Sequence, residues 1–256
     1  LRELGRVGEA ILSFNEAIEL KSDYAYAFDN LASLLVQIDI NSFNAHAKLQ
    51  NAYAIFGEDI SASFLCLQMI KLFIEGDVDA SKKMLPRVQL KLHGKKFDLL
   101  DHQQKKFCNA YYRMLTRLLH GHIPKTIDNS NQNIFHIGES HCLSYAHQSI
   151  QLGALHYTIR PRIIFGAKTW HFSQSRENQF KGLFSQHLSS IPNGSKLFLS
   201  FGEIDCRDDE GILKFKKKSK KNLNQIINET VEGYVDWVTK QSKEKKYELF
   251  FLGIPA

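Results

Sequence analysis

The chain has 256 residues, 43% of them hydrophobic and 23% charged, with 33 Lys/Arg against 27 Asp/Glu and a formal net charge of +6. That composition suits a globular protein of one large or two ordinary domains, and no apolar run approaches the ~18 residues that would span a bilayer. The four cysteines, Cys66, Cys108, Cys142 and Cys206, are far apart and form no Cys-x-x-Cys pair, which argues for free thiols in a reducing, cytoplasmic compartment.

The first residues, LRELGRVGEAILSFNEAIEL, carry no initiator Met and no signal segment. They read as the middle of a helix, as in a piece cut from a longer protein. Gly5, Ala10, Phe14, Ala17, Leu20 and Ser22 are spaced so that Ala10 and Ala17 admit a close partner helix while Phe14 and Leu20 fill the space between helices. This pattern resembles the second helix of a tetratricopeptide repeat. The following DYAYAFDNLASLLVQ, with Phe28, Leu31, Ala32 and Leu35, looks like the first helix of the next repeat. Beyond Gln37 the repeat period fades. SFNAHAKLQNAYAIFG and DISASFLCLQMIKLFIEG still predict helices, stopped at Gly57 and Gly76. Residues 1–120 are therefore expected to be an all-α, repeat-like segment suited to binding a protein partner, with a plain helical bundle as the alternative. His93, His102, His120 and His122 lack metal-site spacing. GHIPKTIDNSNQ, residues 121–132, is the expected linker.

From Asn133 the period changes. NIFHI is a strand candidate, SHCLSYAHQSIQL reads as a helix with Leu143, Ala146, His147 and Ile150 on one face, and LHYTI and RIIF are two short strand candidates. RENQFKGLFSQHLSSI predicts a helix through Phe180, Leu183, Phe184, His187 and Leu188, and KLFLSF a strand buried on both faces. NLNQIINETVEGYVDWVTK predicts an amphipathic helix through Leu223, Ile226, Ile227, Val231, Tyr234, Val235 and Val238, followed by a buried strand in YELFFLGIP. Alternating strands and helices over 133–256 predict a parallel sheet covered by helices on both faces. Sites on such sheets lie beyond the carboxyl ends of strands. Three polar loops qualify: Gly138-Glu139-Ser140-His141-Cys142, Gly166-Ala167-Lys168-Thr169-Trp170-His171 and Gly202-Glu203-Ile204-Asp205-Cys206-Arg207. They converge on one cleft if their strands are parallel neighbours.

In order and spacing these loops resemble the three blocks of the SGNH/GDSL hydrolase superfamily, whose members include esterases, lipases and carbohydrate deacetylases. The resemblance covers roughly residues 133–256 and implies a flavodoxin-like, three-layer α/β domain. It implies Ser140 as nucleophile, with Gly166 giving a backbone N–H to the oxyanion hole. Glu139, His141, Lys168, Thr169, His171, Gly202, Glu203, Asp205 and Arg207 would then contact a carbohydrate or other acylated substrate, with no cofactor. The chain departs from the pattern twice. Ile204 stands where the family has an oxyanion-hole Asn, and no Asp-x-x-His block occurs through Ala256, so a general base is expected beyond Ala256 or not at all.

The residues also admit other readings. A serine opening a helix is equally a helix cap. Asp205 and Arg207 fit a local ion pair as well as a ligand contact, and His171 fits either cleft or core. A metal set of Cys142, Cys206, His141 and Asp205 lacks zinc-motif spacing, so no metal is expected. KFKKKSKK, residues 214–221, reads as a solvated loop or an attractor of anions, with nucleic acid disfavoured for want of interleaved aromatics. The rival to an enzyme is a non-catalytic module that binds a partner through the repeats and a glycan, or nothing, through the α/β domain.

Overall fold

The computed structural model describes residues 1–38, 52, 54–121 and 132–253. Most of the expected linker, and most of the helix expected over 42–57, lie outside these residues. The chain divides into a helical unit, 8–125, and an α/β unit formed by 126–256 together with Leu1–Val7. The first seven residues thus belong with the α/β unit. A 3-10 turn, Arg2–Leu4, packs on a helix of that unit, and Gly182 approaches Gly5 so closely that a Cβ on it would stand 2.3 Å from the Gly5 carbonyl oxygen.

The helical unit holds α1 (Val7–Leu20), α2 (Ala25–Gln37), α3 (Ala62–Glu75), α4 (Val78–Leu92) and α5 (His102–His120). Its helix ends follow the local sequence. The Ser61 hydroxyl accepts from the Phe64 N–H to cap α3, and Gly76 at φ 90° closes that helix. Asp77 caps α4, and an Asp101/Gln104 capping box opens α5. α3 packs against α2, α4 and α5, and its apolar residues Phe64, Leu65, Cys66, Leu67, Met69, Ile70 and Phe73 are all buried. Phe28, Leu31, Ala32 and Leu35 are buried as their spacing predicts, whereas Leu20 is 87% exposed and fills no interhelical space.

The α/β unit is built on a five-stranded mixed sheet of order β2-β3-β1-β4-β5. Its strands are β1 (Asn133–Gly138), β2 (Ser149–Leu152), β3 (Leu155–Ile163), β4 (Lys196–Ser200) and β5 (Glu248–Phe251). β1 lies between β3 and β4 and is parallel to both, with Gly138 opposite Ile163 on one side and Ser200 on the other. β5 continues the parallel run beyond β4, while β2 pairs antiparallel with β3. The helices are α6 (Thr169–Ser173), α7 (Gln179–Ser190), α8 (Gly211–Lys216) and α9 (Leu223–Ser242). Phe172, Phe184, Phe201, Tyr234 and Trp237 form their shared aromatic core. Tyr234 meets Phe251, which pairs with Leu199, so α9 covers the Leu199 face of the sheet.

Several local expectations are corrected here. Residues 140–152 do not form a helix: Ser140–Tyr145 is a 3-10 segment and Ser149–Leu152 is strand β2. Pairing of Ser149 with Thr158 and Ile150 with Tyr157 satisfies that backbone across the hairpin instead. LHYTI and RIIF are not two strands, because β3 runs unbroken to Ile163. The opposite sheet face carries the 3-10 segment, through Tyr145 against His136 at 5.5 Å, rather than a described helix. β4 alternates half-buried with buried residues, and β5 is half-exposed at the sheet edge. In α9 the buried stripe is Ile226, Thr230, Tyr234 and Val238, and Leu223, Ile227 and Val231 are exposed.

Candidate functional site

The parallel register brings the carboxyl ends of β1, β3 and β4 to one edge of the sheet, so the three polar loops share that edge. A cleft there is lined by Glu139, His141, Tyr145, Ser200, Phe201, Glu203, Leu252 and Gly253. Its cavity volume of about 30 Å³ holds one or two waters or an ion. The close approach of β1 to β4 beneath it depends on Gly138, where a Cβ would lie 2.3 Å from the Ser200 hydroxyl oxygen.

Glu139 follows β1 directly and is 2% exposed. Its Oε2 accepts from the Ser140 hydroxyl at 2.7 Å and from the His141 N–H at 3.3 Å, and its Oε1 lies 2.5 Å from His141 Nδ1. Three groups of the next two residues thus close around one carboxylate. The six-residue 3-10 start, in place of an α-helix, turns Ser140 and His141 back toward it. Ser140 itself is half-buried.

The second and third loops are tied to each other. Asp205 is 1% exposed and accepts from the Thr169 N–H and hydroxyl at 2.7 and 2.8 Å and from the Trp170 N–H at 3.3 Å. Burial raises its carboxyl above the usual range, against the lowering by those hydrogen bonds. Lys168 pairs with Glu210, which the ammonium holds below the usual carboxylate range. The His171 ring stacks on Phe180 at 3.8 Å, and its Nδ1 accepts from the Lys168 N–H at 3.0 Å. Burial and the nearby Lys168 ammonium bring its pKa down to about 4, so the imidazole is neutral near pH 7, with its proton on Nε2.

Glu203 links the third loop to the first. It pairs with Arg207 at 2.6 and 3.2 Å and lines the cleft beside Glu139 and His141. Glu139, His141 and Glu203 present ligand atoms within 4.8 Å of one another, the grouping among the described residues that could hold a metal ion; it differs from the Cys142–Cys206 set weighed from sequence. Gly166 and Gly202 occupy positive φ, 69° and 123°, as chain reversals after β3 and β4 require. Ile204 is buried at 8% exposure in a 3-10 turn.

Sequence reasoning missed His136, Tyr145, Ser200, Phe201 and Leu252. Period-2 alternation puts His136 and Gly138 on one strand face, and that was the available signal. His136 Nε2 lies 2.8 Å from the Ser200 hydroxyl, and burial brings the imidazole pKa down to about 4. No family model matches the chain, and no curated protein or solved structure matches it.

Proposed function

We propose that the α/β unit is an SGNH-like ester hydrolase or acyltransferase with Ser140 as nucleophile, acting on an acylated carbohydrate. The observation that carries this reading is the convergence of the three polar loops on one sheet edge, at the carboxyl ends of adjacent parallel strands. The parallel strand order β3-β1-β4-β5 supports a flavodoxin-like plan, in which the chain reverses its progress across the sheet between β1 and β4 and a site opens at that point. The helical unit serves as a tetratricopeptide-repeat-like platform for a protein partner, a reading supported by the buried, repeat-like spacing of Phe28, Leu31, Ala32 and Leu35 in α2. Free thiols at all four cysteines support a reducing, cytoplasmic compartment; no described helix is long and apolar enough to cross a membrane.

A second reading, a non-catalytic glycan-binding or inactive domain, is favoured by Ile204. That side chain is buried where the family offers an oxyanion donor, and losing one such donor costs roughly 10²–10³ in rate. The test is labelling by a fluorophosphonate probe and release of acetate from acetylated oligosaccharides, with Ser140→Ala as the blank. Ser140-dependent labelling and release are expected of the enzyme. Neither signal above the Ser140→Ala blank rejects it for the non-catalytic reading.

A further inference from the structure

We propose that Glu139 is the general base that activates Ser140, a role that rests on Ser140 being the nucleophile. The Ser140 hydroxyl already donates to Glu139 Oε2 at 2.7 Å, inside the distance a base needs to take a proton. The acceptor is pre-set. Oε1 is held at 2.5 Å by His141 Nδ1, and the His141 N–H also donates to Oε2. At 2% exposure the carboxylate is shielded from water, where a charge-assisted hydrogen bond is strong. Two other imidazoles in the unit each have a ring nitrogen engaged elsewhere: His171 Nδ1 accepts from the Lys168 N–H, and His136 Nε2 lies on the Ser200 hydroxyl. Glu139 and His141 also line the small cleft at this sheet edge, and Ser140, half-buried between them in sequence, opens the same 3-10 segment.

In the acylation step Ser140 Oγ forms a bond to the acyl carbon while its proton passes to Glu139 Oε2. The carbonyl electron pair moves onto oxygen. Collapse of that oxyanion expels the alkoxide, which takes the proton from Glu139 and leaves as the alcohol. Water then repeats the sequence in reverse: its proton goes to Glu139, its oxygen bonds the acyl carbon, and Ser140 Oγ departs with the proton. For transfer in place of hydrolysis, a sugar hydroxyl replaces the water. No second base is needed.

The test reads deprotonation alone. A fluorophosphonate loses fluoride, which needs no proton, so the rate of Ser140 phosphonylation reports the base. Measured on the whole chain, Glu139→Gln keeps the side-chain volume and removes the base; labelling should slow by about 100-fold or more. Glu139→Asp keeps a carboxylate but draws it back by one methylene, and should slow labelling about tenfold. It keeps the test decisive if the Gln variant does not fold, as judged by thermal melting. Labelling within threefold of wild type in either folded variant overturns the role of Glu139 and leaves Ser140 as nucleophile. No Ser140-dependent labelling of the wild-type chain overturns both.

Discussion

The helical unit and the α/β unit both bury carboxylates, but they use them differently. In the helical unit Asp29 meets one group, the Ser61 hydroxyl at 3.0 and 3.2 Å, and burial lifts its pKa to about 6. That carboxyl braces the capped start of α3. In the α/β unit, Asp205 takes three donors and Glu139 takes the Ser140 hydroxyl and both the N–H and ring of His141. Buried imidazoles follow the same division: His136, His147 and His187 lie in the α/β unit, and none of the described histidines of the helical unit is buried. One unit spends its polar groups on helix ends. The other gathers them at one sheet edge, where a reaction would need them.

The strongest way to break this contrast is to remove the α/β core alone. Phe172 is fully buried among Phe184, Phe201, Tyr234 and Trp237, so Phe172→Ala should cost about 3–5 kcal/mol. Hydrogen exchange should then report opening of β1, β3 and β4 with α3 and α5 still protected. Equal loss in both units would show that they share one cooperative transition.

Acid should also separate the units. Burial depresses His136 from 6.5 to about 4 in the folded state. Between those values the unfolded chain binds a proton that the fold refuses, so stability present above pH 6.5 is lost as pH falls toward 4, on the order of 3 kcal/mol. His171 acts in the same direction, and the raised Asp205 carboxyl opposes them. Asp29 has the opposite sign. Its folded pKa is raised from 3.8 to about 6, so its stabilisation is complete below pH 3.8 and is lost as pH rises through 6. Exchange protection measured from pH 6.5 to 4 should therefore fall over 133–253 and hold or rise over 62–75. Parallel loss in both would erase the distinction.

Smaller effects sharpen it further. Asp205→Ala frees three donors, two of them in buried hydrogen bonds, and should lower stability by about 2–3 kcal/mol, loosening α6 first. Ile204→Asn puts an amide where an apolar side chain is packed and should cost about 1–3 kcal/mol; faster Ser140 labelling in that variant would instead assign Ile204 to the oxyanion pocket. Ser61→Ala removes the cap of α3 and should cost about 1 kcal/mol, confined by exchange to the helical unit.

The sequence by itself determined features whose cause is local. Ser61 and Gly76 mark the ends of α3, the Asp101/Gln104 pair opens α5, and the apolar runs of β1 and β4 each end in a glycine-led polar loop. Capping, left-handed glycines and alternation act within a few residues, so they can be read there. Tertiary structure decided what depends on distant partners. The spacing of Leu143, Ala146, His147 and Ile150 mimics a helix, yet Ser149–Leu152 pairs with β3 because a hairpin partner lay within reach and a longer helix had none. Which stripe of α9 is buried depends on where Phe172 and Phe251 stand, not on its own periodicity. The closure of Glu139 over Ser140 and His141 arose from a 3-10 turn that local pattern reads as α-helix. Backbone conformation is largely a short-range choice, whereas burial, register and the meeting of side chains are settled by elements far apart in the chain.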